Sequence, residues 1–379
     1  MFNYNQDNFD EIDIDDLKFA NKQAINLKNL EIAYKLTNNK ILILKRFLSS
    51  PYVVISLLIF MAILATATIA PLVSQYSATN PISQAKGRIL SFLNPTWVNG
   101  GFTRRGIIDA SDPFLRDLIN EGIISSNLSQ HIYVSANGSM TVLFSPWTYL
   151  NNLDQGFHFS ILGTDLVGRD IWTRLWTGTR QSLLLACGVV VCTTIIGTTI
   201  GAFIGFNAGN KIDMLTMRVI EIINAIPSLI WLVLLVFILP SGFWTLFLAF
   251  IIINWANPIS ITRMYIMRVK DSEYVKAAKS IGVSQSALIF KHALPNIAGK
   301  LFPNIIRSIT TIIFMESTIA FLGLSPSPDT ATLGNIINDA KGYAQYWWYL
   351  LSPTIVILLL TVSLQIIGTG LHDAFDPQR

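Results

Sequence analysis

Charge is missing from long stretches of this chain, and that absence limits what it can fold into more than any other feature. Residues 47–85, 181–210, 222–262 and 342–371 carry no acid, lysine or arginine. About 20 apolar residues cross a hydrocarbon core about 30 Å thick, so each run can supply at least one membrane crossing. Composition agrees: 51% of the 379 residues are hydrophobic and 13% are charged, against about 25% charged in soluble globules. The mean hydropathy is +0.49. The expected class is an all-α polytopic membrane protein. The formal charge of +4 is too small an excess to imply a nucleic-acid partner. Cys187 and Cys192, five apart in an apolar run, face different directions on a helix and cannot bridge.

The runs divide the chain. Residues 1–50 form a soluble tail with acids crowded between Asp7 and Asp16, ending in Lys40, Lys45 and Arg46. Span 1 covers 51–73, an insertion covers 74–180, and residues 181–379 hold spans 2 to 6. The run 222–262 is too long for one crossing and breaks at the turn signal Leu239-Pro240-Ser241-Gly242, giving spans near 219–239 and 243–262. A weaker run near 302–324, interrupted by Arg307 and Glu316, is span 5. Six spans are expected.

Lysine and arginine beside span ends favour the cytoplasmic side. The basic end of the tail therefore places the N-terminus inside. Counting crossings places loop 263–300 inside as well, and it carries Arg263, Arg268, Lys270, Lys276, Lys279, Lys291 and Lys300 against Asp271 and Glu273. The C-terminus follows inside and the insertion outside. Within the insertion, 113–122 has helical apolar spacing. Residues 131–136 and 139–144 flank Asn137-Gly138, the pair best suited to a two-residue hairpin turn. A small α+β external module between spans 1 and 2 is expected.

Loop 263–300 is the most informative segment. Glu273-Tyr274-Val275-Lys276-Ala277-Ala278-Lys279-Ser280-Ile281 is a helix-forming run stopped by Gly282, and a second run from Ser284 ends near Leu294-Pro295. The alanine pair, lacking bulk, leaves one helix face able to approach another surface closely. A solvated basic loop that only obeys the charge rule is the alternative.

Ala277-Ala278, three residues, Gly282, then Leu294-Pro295 resembles the EAA loop of ABC importer permeases. Lys276 and His292 replace the general motif's Glu and Ile, as is usual in its peptide-importer subfamily. Further matches to the C-type permease subunit of oligopeptide/dipeptide importers are Gly163-Thr164-Asp165, Gly168-Arg169-Asp170, Arg174, Gly178 and Arg180. The stretch from Glu316 to Leu324, with Ala320 in place of Ser, and the terminal 370–377 are similar too. Residues 160–379 carry the resemblance; the tail and 77–159 do not. It implies a fold of the ABC type I importer permease kind in a bacterial cytoplasmic membrane. It further implies half of a translocation pore whose other half is a second homologous permease, two cytoplasmic ATPase subunits that bind ATP and Mg, and an extracellular peptide-binding protein. Segment 268–295 would couple to the ATPases, with Glu273, Ala277, Ala278, Gly282, Leu294 and Pro295 as its surface. Nickel, glutathione or another small solute as cargo is the alternative within the class, and an ion-coupled secondary transporter the alternative outside it.

The chain has no phosphate loop: Gly299-Lys300 is followed by leucine and lacks the upstream glycine. His131, His158, His292 and His372 are scattered without metal-ligand spacing. Neither a catalytic group nor a cofactor is expected in this chain, whose environment is membrane lipid. Ionisable groups within spans must face protein or water. Glu316 either lines the translocation path or fixes helix packing. Asp165, Arg169 and Asp170 are expected to pair ahead of span 2, and Trp347-Trp348-Tyr349 to anchor at the membrane surface.

Overall fold

A computed structural model describes residues 39–82, 92–97, 103–107, 116, 119–120, 132–134, 140–153, 158–326, 330–343 and 345–375. The acid-crowded tail, most of the expected helix at 113–122 and the Asn137-Gly138 turn lie outside these. Helices dominate. α1 (Asn39–Ser49) leads through Ser50 into α2 (Pro51–Val73), the first apolar crossing. β1 (Thr103–Ile107), β2 (Ile132–Val134) and β3 (Met140–Phe144) make an antiparallel sheet in the order β1-β3-β2. α3 (Pro146–Leu153) follows. Pairing of residues 132–134 with 140–142 is the expected hairpin, but Val134 sits opposite Met140. A two-residue Asn-Gly turn would place it opposite Thr141.

α4 (Ile171–Phe206) is the central crossing. It begins ten residues before the uncharged run and takes in Arg180 as well as Arg174, which is neutralised inside the protein. α5 (Lys211–Ala225) and α6 (Ser228–Ile238) meet at a bend of 85°. The expected straight span 219–239 is thus a broken one. Pro227 explains the break, since it donates no backbone hydrogen bond and disfavours helix in the residue before it; the Trp231 indole donates across the bend to Ile223 O at 3.1 Å. The turn at Gly242 (φ +144) is where it was expected. α7 (Phe243–Asn254) and α8 (Ala256–Val269) form one crossing. α9 (Glu273–Ser280), α10 (Gln285–Ala287), a π turn (Leu288–Ala293) and α11 (Leu294–Phe321) follow. α12 (Leu333–Ala340) and α13 (Trp347–Phe375) close the chain. Among the described residues five helices are long and apolar enough to cross a membrane, and the bent pair, counted as one span, makes six.

Lipid tails are as apolar as leucine, so helices in a bilayer associate through close packing, which small residues permit. Gly197, Gly201 and Gly205 lie four apart on α4 and face α8. A Cβ on Gly197 would lie 2.5 Å from Pro258 Cβ, one on Gly201 2.6 Å from Ile259 O, and one on Gly205 2.9 Å from Arg263 O. Hydrogen thus lets two backbones meet where any side chain would separate them. Asp213 of α5 ties α8 to the linker that follows α4: its carboxylate accepts from Arg263 Nε and Nη2, at 2.5 and 2.7 Å, and from Gly209 N–H at 2.9 Å.

At the other end of α4, residues 163–170 fold into a tight turn. Gly163 (φ +76) sits so close to the insertion that a Cβ would fall 2.0 Å from Leu93 O. Leu93 N–H donates to the Thr164 hydroxyl at 2.8 Å, Thr164 N–H to Leu93 O at 3.1 Å, and Phe92 N–H to Asp165 O at 3.0 Å. The Phe92 ring stacks on Tyr346, with centroids 4.4 Å apart. The expected ion network exists in part: Asp165 and Arg169 pair, Asp170 does not join them, and Arg174 and Asp339 do. Arg169 pairs with Asp165 at 2.7 Å, while the fully buried Arg174 bridges Asp165 at 3.3 Å and Asp339 of α12 at 2.9 Å. Asp170 caps α4, accepting from Thr173 N–H at 2.7 Å. Burial raises its carboxyl above the ordinary range, against the bonds from Ser160 and Thr173. The aromatic trio divides: Trp347 is exposed, but Tyr349 is buried in a cluster with Ile171 and Ile336, so it is no surface anchor.

Two outcomes follow for purified protein in detergent. Gly201→Leu should lower stability by about 1–3 kcal/mol through overpacking, whereas Gly342→Ala, where a Cβ meets nothing, should melt like wild type. Arg174→Ala leaves the buried Asp165 carboxylate with Arg169 alone and should cost about 3 kcal/mol; Asp339→Asn, at a side chain 32% exposed, should cost less in the same melting assay.

Candidate coupling loop and buried glutamate

Loop 268–295 is mounted rigidly. Val275, Ala278 and Leu288 pack together and against Phe206, Val269 and Val283. Ala202, Ile266, Ile289, Ala293, Ile297 and Leu301 form the adjoining core. The Gln285 side chain also donates to Asn207 Oδ1 at 3.0 Å. The helix pair is therefore fastened to α4, α8 and α11.

Gly282 ends α9 for a stereochemical reason. Val283 N–H reaches Ala278 O at 3.2 Å and Gly282 N–H reaches Lys279 O at 3.0 Å. This is the Schellman pattern with a left-handed residue (φ +85) just past the helix. A side chain there would meet nothing within 4 Å, so the requirement is conformational rather than steric. The second helical run does not end at Leu294-Pro295 as expected. Leu294 N–H bonds to Ile289 O, five residues back. That widened turn accommodates Pro295, which has no N–H to donate, and the helix continues to Phe321.

The alanine pair splits. Ala278 faces the core, while Ala277 is exposed, as are Glu273, Gly282 and Pro295; Leu294 is half-buried. Tyr274, Ala277 and Ile281, spaced three and four apart, share the outward face of α9. Ile281 is 82% exposed, and it was missed in the sequence because an isoleucine beside a helix-ending glycine ordinarily packs inward. The surface thus offers a small residue between two larger ones, ringed by Glu273, Lys276 and Lys279.

Glu316 lies elsewhere, toward the insertion end of α11, and is 1% exposed. The Ser182 hydroxyl of α4 donates to its Oε2 at 3.1 Å. Against the same turn, a Cβ on Gly334 of α12 would lie 2.6 Å from Ala320 Cβ and 2.7 Å from Ser317 Cα. The carboxylate is thus enclosed by α4, α11 and α12. Glu221, by contrast, is an exposed partner of Arg218 at 2.7 Å on α5. Among the described residues, no group of three or more His, Cys, Asp or Glu is arranged to hold a metal.

Residues 197–379 match the family described as the binding-protein-dependent transport system inner membrane component. The chain is 35% identical over 217 residues to the oligopeptide transport system permease protein OppC of Bacillus subtilis, covering 57% of this chain and 71% of that one. It is 33% identical over 218 residues to the dipeptide transport system permease protein DppC of the same organism, covering 57% and 68%. The OppC of Mycoplasma pneumoniae is 29% identical over 390 residues, covering 99% of this chain and 97% of that one. That match spans nearly the whole of both chains, the tail and the insertion included. With its crossings, this places the chain in the membrane-embedded permease family of oligopeptide and dipeptide ABC transport systems.

Proposed function

We propose that this chain forms half of the translocation pore of an ATP-driven importer of oligopeptides or dipeptides. A second, similar permease supplies the other half. Two ATPase subunits bind ATP and Mg on the cytoplasmic side, and an extracellular binding protein delivers the cargo. Both termini and loop 268–295 lie in the cytoplasm, and the insertion lies outside.

The observation that carries this reading is the outward stripe Tyr274–Ala277–Ile281 on a helix whose opposite side is locked into the core. An exposed isoleucine with its backbone held by a glycine stop is costly in water and favourable in an apolar partner pocket. The exposed alanine lets the partner approach closely. Force applied to α9 passes directly into α4 and α8, because Val275, Ala278 and Leu288 leave no slack. The names of the relatives support a peptide as cargo.

Two substitutions test the surface without disturbing the core. Ile281→Asp and Ala277→Trp should each lower ATP-driven peptide uptake by reconstituted complex by tenfold or more, a change of about 1.4 kcal/mol or above, while chain levels in the membrane stay normal. Wild-type uptake in both variants would remove loop 268–295 from the coupling role.

A further inference from the structure

One face of α11 is polar where a membrane helix should be apolar. Lys300, Asn304, Arg307, Thr311, Phe314 and Thr318 are spaced alternately four and three apart, which places them on one stripe. Lys300, Arg307, Thr311 and Phe314 are exposed, and Asn304 and Thr318 are half-buried. Glu316, the only acid on α11, is buried on the opposite side, so the stripe carries two cations and no anion. The Thr311 and Thr318 hydroxyls donate to their own helix at Arg307 O (3.1 Å) and Phe314 O (2.8 Å), leaving oxygen lone pairs outward. Among the described residues the Arg307 guanidinium has no hydrogen-bonding or ion-pair partner. It lies 14 residues, roughly 21 Å, before the end of the helix at Phe321. A hydrocarbon core about 30 Å thick that ends there contains it by roughly 9 Å.

A guanidinium at that depth, on a polar track, does not face lipid. Asn304 and Ser308, its neighbours on α11, share a small recess with Asn257 of α8, among Pro258, Leu301 and Ile305. Resting on the importer reading above, we infer that Arg307 is a specificity-determining residue of the translocation path, where it pairs with a carboxylate of the passing peptide. Guanidinium binds carboxylate through two parallel charge-assisted hydrogen bonds, and Lys300, two turns nearer the loop, is the next cation along the stripe. The threonine and asparagine groups between them suit peptide amides. Cargo with a free carboxylate is then carried in preference to the same peptide with its carboxyl amidated.

The test is uptake by the full complex in proteoliposomes, using one labelled neutral peptide as the free acid and as the C-terminal amide. Wild type should favour the acid. Arg307→Gln should lower kcat/KM for the acid about tenfold and leave the amide unchanged, while Arg307→Lys should retain most of the preference, since it keeps the charge. Equal losses for both peptides, with loss of the second permease on purification, would mean that Arg307 pairs with a partner acid and would overturn the inference. Unchanged uptake of both peptides would place the guanidinium at the lipid interface and overturn it equally. No ATP-driven uptake of either peptide by wild type would bring down the importer reading and the inference together.

Discussion

Close approach of α4 and α8 is the constraint on which the rest of this structure depends. In a bilayer no hydrophobic effect drives helix against helix, so contact must come from fit. Gly197, Gly201 and Gly205 provide it by removing side chains from one edge of α4 over two turns. Near the loop end, Asp213 of α5 and Arg263 of α8 form a bidentate ion pair beside this contact. The apolar core around Leu183, Val189, Phe250 and Ile312 then assembles on a fixed frame.

That frame connects two distant surfaces. At one end Phe206 of α4 and Val269 of α8 receive α9, so the helix pair around Gly282 cannot move without them. At the other end Arg174 of α4 reaches Asp339 of α12, and the turn at Gly163 grips the insertion at Leu93. The insertion is consequently joined to the crossings by backbone hydrogen bonds and a ring stack as well as by the chain itself. A displacement imposed on the loop has a stiff route along α4 to the far side, which a permease that alternates access requires.

Much of this was legible in the sequence, for identifiable reasons. Charge-free runs are a direct consequence of the cost of burying ions, so the crossings and the Pro240 break could be read from them. The left-handed stop at Gly282 followed from helix-ending chemistry, and the pairing of Asp165 with Arg169 from proximity in the chain. What was hidden depended on distant partners. The start of span 2 was misplaced because Arg174 finds Asp339, which lies 165 residues away. The bend at Pro227 was overlooked inside a hydrophobic run where Pro240 gave the stronger signal. The glycine stripe has an obvious spacing, yet only the proximity of Ile259 and Thr262 gives it meaning. In the loop, the sequence marked Ala277 and Ala278 as equivalent, but the fold turns one inward and one outward.

The account stands or falls on whether this chain works within an ATP-driven assembly. The most direct measurement is affinity purification of the tagged chain from its native membrane in mild detergent, with mass spectrometry of the proteins and small molecules retained. Two ATPases, a second permease and an extracellular binding protein, with peptides bound, are the predicted result. An intact chain recovered alone or only with copies of itself would contradict it and favour an ion-coupled transporter.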